Sequence, residues 1–273
     1  MDDRAAFKPG TAGASTGAEY DARLSRHREA ARRRRPFVLT FAAVLALLGI
    51  AALNVTTISQ LAGIELPALA GAYSSMFGWL LLAVAATSAI GSFVTPSHVT
   101  AWATGADGEQ RTARQLAPLE ADGFRMLHDR RIPMGRANID HIVIGPPGVF
   151  VIESKSYAGR LRISGREISV HGRRTTGWLD EVRREAVAVE EALAAELARL
   201  GIAVQPIICV HRAELPWFGS SVDGIAIVSG NGLVSRLRKT KPVLNEQDVA
   251  LLAELAASRL RPAVRATAKP RVI

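Results

Sequence analysis

The chain has 273 residues, is 48% hydrophobic, carries a formal charge of +9 and contains one cysteine. That length suits one sizeable core with appendages, and the cysteine count excludes an intrachain disulfide framework, while no Cys/His cluster has zinc spacing. Charge is spread too unevenly for a single soluble body: between Pro36 and Thr100 the one charged residue is Glu65.

Residues 1–35 hold nine basic and five acidic residues and read as a disordered basic tail that ends in four arginines, Arg32 to Arg35. Residues 36–94 contain two uncharged runs, Phe37 to Ile58 and Gly71 to Phe93, joined by "SQLAGIELPALA". About 20 apolar residues span a hydrocarbon core as a helix, so this region reads as a transmembrane hairpin. The arginine block before the first span should stay inside, and two crossings return the chain to that side. The N-terminus and the C-terminal domain are then expected in the cytoplasm of a two-span membrane protein. "RRPFVLTF" also resembles a twin-arginine export signal. The long apolar run, the lack of a small-x-small cleavage site and the second span favour the hairpin.

Residues 95–106 read as a linker, 107–262 as a globular domain and 263–273 as a disordered tail. "DGEQRTARQLAPLEADGF" predicts a helix with Asp107 as N-cap and Gly123 as its end. "NIDHIVIGPPGVFVIESKS" predicts a β-hairpin, and "GRLRISGREISVHG" predicts further strand around a Ser-Gly turn. "WLDEVRREAVAVEEALAAELARL" predicts one helix with Leu179, Val182, Ala186, Val189, Leu193 and Leu197 along one face. "AVQPIICV" and "GIAIVS" read as short buried strands, and "NEQDVALLAELAASRL" as a helix capped by Asn245 with Asp248 three residues on. The order α-β-β-β-α-β-β-α gives an α/β domain with a mixed sheet covered by helices.

The hairpin carries the chemistry. With the turn at "GPPG", Ile144 faces Val149 and Asp140 falls opposite Glu153. Opposite Cβ atoms are about 4.5–5.5 Å apart, and Lys155, two residues on, shares their face. Two carboxylates directly opposite repel, and a hard divalent cation would offset this, with Lys155 beside it to hold a water or meet a phosphate. The competing reading is a strand end where Lys155 neutralises one acid.

The run "NIDHIVIGPPGVFVIESKSYAGRL" resembles the NERD (nuclease-related) domain. There an Asp precedes a hydrophobic hairpin whose second strand ends in Glu-x-Lys followed by Gly. The likeness in order of elements runs over roughly residues 105–230. It implies the mixed, helix-flanked sheet of PD-(D/E)xK, restriction-endonuclease-like enzymes. It further implies Asp140 and Glu153 as ligands of Mg²⁺ or Mn²⁺, Lys155 as the catalytic lysine, and Glu109 of the "GE" pair as an auxiliary acid. The family pattern has Gln in the helix after the third strand, where this chain has Glu185.

Two functions follow as expectations. One is a membrane-anchored, metal-dependent nuclease acting on nucleic acid, DNA foremost; the other is a non-catalytic module that binds nucleic acid or protein at the membrane. The basic balance of residues 101–273 suits an anionic partner. His141 should point away from Asp140 and reads as a packed histidine, and Cys209 as core packing. Tyr157 and Arg160 could touch a phosphate backbone, as could Arg173, Arg174, Arg183 and Arg184; a strand edge and a solvated helix face are the plain alternatives. Trp217 and Phe218 read as loop packing, and Arg32 to Arg35 as a topology signal with anionic-lipid contact second.

Overall fold

A computed structural model describes residues 9–263 apart from 134, 136, 176 and 216–219. Trp217, Phe218 and the expected tail beyond 263 lie outside the described residues. The chain forms two compact units, Tyr20–Thr100 and Met1–Glu19 with Ala101–Ile273.

The smaller unit is helical. Helix α1 is Ala14–Leu53, α2 is Val55–Leu61 and α3 is Ala68–Gly91. The composition of residues 1–35 suggested disorder, but the helix begins at Ala14. The Ala, Arg and Glu that fill residues 18–35 are strong helix formers, and this outweighs the Gly/Ser/Thr content further upstream. Two helices, α1 and α3, are long and apolar enough to cross a membrane. The first expected span is broken at Asn54, whose Nδ2 donates to the Ile50 carbonyl at 2.8 Å. Their large apolar side chains point outward, with Phe37 79% and Trp79 66% exposed. An exposed apolar surface on this scale needs an apolar neighbour. α1 and α3 meet at Gly49 and Gly78, where a Cβ on either would come within 3 Å of the other's carbonyl oxygen. Small residues permit this close approach of backbones.

The larger unit is a mixed sheet between two helical layers. Helix α4 spans Ser97–Leu116 and continues as a 3₁₀ turn, Ala117–Asp122. Strands β1 (Arg125–Arg131), β2 (Asn138–Gly145) and β3 (Gly148–Ser164) follow, then β4 (Glu167–Val170) and β5 (Arg173–Arg174). Helices α5 (Trp178–Ala192) and α6 (Ala194–Leu200) precede β6 (Val204–Glu214), β7 (Ser220–Val222) and β8 (Ile225–Ser229). Helices α7 (Gly230–Lys239) and α8 (Glu246–Arg259) close the fold. The sheet order is β1-β2-β3-β6-β8-β7, with β4 paired onto the far half of β3 and β5 paired onto β4. β1, β2 and β3 are antiparallel neighbours, whereas β3, β6 and β8 run parallel.

Alternation along β2 and β3 builds two cores. Ile142, Ile144, Val149 and Val151 face Val182, Val189 and Leu252 of α5 and α8. Val143, Phe150 and Ile152 face Leu116 of α4, Leu119 of the 3₁₀ turn and Leu233 of α7. The hairpin register is the predicted one, from Gly145↔Gly148 to His141↔Ile152. Asn245 caps α8 by accepting from the Asp248 N–H at 2.9 Å.

Several elements differ from the expected pattern, α7 and β7 among them, since the predicted order contains neither. The linker over 95–106 is largely helical, because α4 starts ten residues before Asp107. Its glycines are packing positions: a Cβ on Gly108 would lie 3.0 Å from the Ser156 Cβ. β1 was hidden by its polar sequence, "RMLHDRR", in which Arg130 is buried and donates to the Leu260 carbonyl at 3.2 Å. The single predicted helix over 178–200 is interrupted at Leu193.

Candidate functional site

β3 is buried for its first seven residues and then emerges toward solvent. Asp140, Glu153, Lys155 and Glu109 all line one cleft of about 850 Å³ at that point, together with Glu181 and Glu185 of α5. The structure therefore brings the four sequence-predicted residues together. Asp140 immediately precedes His141, the first residue of β2 paired with β3, and its Oδ2 accepts from the Ser154 N–H at 2.8 Å. The Lys155 ammonium donates to Glu153 Oε1 at 2.5 Å and to Glu181 Oε2 at 2.6 Å. Glu109 sits inside α4 rather than at its start, and Thr16 Oγ1 donates to its Oε1 at 2.7 Å. Ser15 bonds Asp129 through both its N–H and its hydroxyl.

Glu185 is only 2% exposed, and its Oε2 has no hydrogen-bond partner. Burial raises its carboxyl well above the usual range, and Glu153 and Asp140 push it further. Asp140 is raised for the same reasons, burial first and then Glu153 and Glu109. Burial lifts Glu109 to about 7 against the Thr16 hydrogen bond, with Asp129 and Glu153 adding to the rise. Burial works against the Lys155 charge, but Glu153 and Glu181 override it and hold the ammonium above the ordinary lysine range. The cleft thus packs more carboxyl groups than one lysine neutralises. Such a cluster holds protons or a cation at neutral pH. All its donors are oxygens, which suits a hard divalent ion. Among the described residues, no three or more His, Cys, Asp or Glu side chains are already gathered in a metal-binding arrangement.

Behind the cleft runs a buried polar chain. His128 Nδ1 lies 2.8 Å from His141 Nδ1, and His141 Nε2 lies 3.1 Å from Ser154 Oγ. Thr112 Oγ1 bridges Ser154 Oγ at 2.8 Å and His211 Nε2 at 2.7 Å. Burial, with Arg130 second, lowers His128 to about 4, and burial keeps His141 well below 6.5. This chain fixes Ser154, whose N–H orients Asp140. His141 thus points away from Asp140, as its parity on the strand requires. Cys209 is fully buried, and burial pushes its thiol up to about 12.

Of the expected phosphate contacts, Tyr157 lines the cleft and packs against Trp178 in a tilted arrangement, with ring centroids 5.2 Å apart. Arg160 does not line the cleft. Arg183 pairs with Asp223 at 2.8 Å and Arg174 with Glu167 at 3.3 Å, both away from the cleft. Arg212 lines the cleft instead, with φ of +64°. Glu181 escaped the sequence reading, although its i,i+4 spacing from Glu185 on a helix is a legible signal. Thr16 has no local signal, since it lies 93 residues from its partner.

The model of the nuclease-related domain family, NERD, matches residues 104–211, a stretch that contains Glu109, Asp140, Glu153, Lys155 and Glu185. An uncharacterized protein of Bacillus anthracis is 38% identical over 69 residues, which are 24% of this chain and 32% of that relative. The chain thus matches about a third of that relative's length. No solved structure matches.

Proposed function

We propose, with residues 104–211 as a nuclease-related domain, that the chain hydrolyses phosphodiester bonds of nucleic acid at a membrane surface. The observation that carries this reading is the convergence of Asp140, Glu153 and Lys155 on one cleft among further acids. A cleft so rich in carboxylates repels a phosphodiester unless a cation offsets them, so the reading requires a divalent ion. Asp140 and Glu153 would hold Mg²⁺ or Mn²⁺, with the orphaned Glu185 Oε2 beside them. When bound, the ion would supply Lewis-acid charge to the phosphate oxygens.

The chain's own groups would do the rest. Lys155 would meet a phosphate oxygen or hold the attacking water, with Glu181 keeping the ammonium charged. Glu109, poised near pH 7, would order a water or exchange a proton with it. Tyr157 and Arg212 at the cleft would contact the substrate backbone. The two apolar helices would keep the domain on the membrane, with the N-terminus and the domain on the cytoplasmic side.

The test is incubation of the full chain in detergent micelles with plasmid DNA, linear DNA and RNA, in Mg²⁺, Mn²⁺ or EDTA. Metal-dependent cleavage of DNA is expected. A second reading, a binding module without catalysis, is favoured by the double clasp on Lys155. It predicts salt-sensitive binding of DNA with no cleavage in any metal.

A further inference from the structure

We infer that Arg28, Arg32 and Arg35, with Pro36 and Leu39 below them, form a binding site for the headgroup and upper acyl chain of an anionic phospholipid. The inference rests on the membrane-hairpin reading and adds a ligand to it. Residues 28, 32, 35, 36 and 39 recur at helical spacing and line one concavity of about 560 Å³ on α1. The three arginines span about 10 Å along the axis, and Pro36 and Leu39 continue the same face into the apolar run. Read down the helix, this face is charged and then apolar, which is the order of a lipid's head and tail. A free phosphate would have no use for the apolar half.

Two further observations point to the headgroup zone. Arg35 Nε donates to the Ser92 carbonyl at 3.1 Å, and its guanidinium lies 4.6 Å from the Phe93 ring centroid. Ser92 caps the C-terminal end of α3, so Arg35, the arginine of the cluster nearest the apolar run, is level with the end of the second apolar helix. Arg33, by contrast, is paired with Glu29 at 2.8 Å. No carboxylate among the described residues pairs with Arg28 or Arg32. Guanidinium groups bind phosphate in bidentate fashion, and basic residues beside an anionic leaflet are drawn to it.

Native mass spectrometry of the full chain from micelles containing phosphatidylglycerol and phosphatidylcholine tests this. The wild type is expected to retain phosphatidylglycerol roughly tenfold over phosphatidylcholine. The Arg28→Gln/Arg32→Gln/Arg35→Gln variant should lose that preference, whereas Arg23→Gln/Arg33→Gln/Arg34→Gln, with the same net charge, should keep it. Equal loss in both variants, no preference in the wild type, or displacement of the lipid by millimolar inorganic phosphate would overturn the site. Alkaline carbonate extraction from vesicles separates the two layers of the inference. A chain that stays in the membrane without lipid preference sinks the site alone, and a chain that is extracted sinks the membrane reading beneath it.

Discussion

Replacing Glu109 by Gln isolates the electrostatic strain in the cleft. Glu109 is buried, and its carboxyl is moved from 4.5 to about 7, chiefly by burial. Between pH 4.5 and 7 the folded chain keeps a proton on Glu109 that the unfolded chain has released. Stability therefore falls as pH rises through this window, by about 3 kcal/mol in all. Gln is neutral throughout and its Oε1 can still accept from Thr16. It loses one acceptor for the Gly13 N–H, at a cost of about 1 kcal/mol. In EDTA, Glu109→Gln should then be about 1 kcal/mol less stable than wild type near pH 4 and about 2 kcal/mol more stable near pH 8. His128 slopes the other way, since its lowered pKa costs stability as pH falls from 6.5 to about 4. That slope is common to both proteins and cancels in the difference. Urea-dependent pulse proteolysis of the full chain in micelles reads the difference at each pH. A stability difference that does not change with pH would refute the assignment of a raised pKa to Glu109.

Lys155→Met should leave Glu153 without its buried cation and cost about 3–5 kcal/mol at pH 8, with Lys155→Met/Glu153→Gln recovering part of the loss in the same proteolysis assay. Mg²⁺ at about a hundred times its dissociation constant should stabilise the wild type by roughly 2.7 kcal/mol, and Asp140→Asn/Glu153→Gln should abolish the effect in thermal unfolding. Thr112→Val removes the hydroxyl that bridges Ser154 and His211; a loss of about 1–3 kcal/mol in urea unfolding is expected.

The site was legible where one hairpin made it. Alternating apolar residues on two strands admit a single register, because a one-residue slip would turn every core side chain outward. The strand pattern by itself therefore sets Asp140, Glu153 and Lys155 on one face. Their partners were not legible, because topology supplies them from afar. Glu181 and Glu185 come from a helix beyond two further strands, and Thr16 from a segment near the N-terminus. The same limit hid β1, whose charged residues are satisfied by long-range partners such as Leu260 for Arg130 and Ser15 for Asp129. The expected linker over 95–106 failed in a different way, since Gly105 is a poor helix former by local propensity and the structure nevertheless keeps it inside α4.

Single-turnover cleavage is the most direct trial of the cleft as a metal-dependent phosphodiesterase. Full-length wild type would run beside Glu153→Gln and Lys155→Met/Glu181→Gln, each first shown to be folded by proteolysis. The prediction is Mg²⁺-dependent cleavage by the wild type, with a loss of at least about a hundredfold in either variant. Cleavage that survives in EDTA, or that is equally fast in the folded variants, would contradict it.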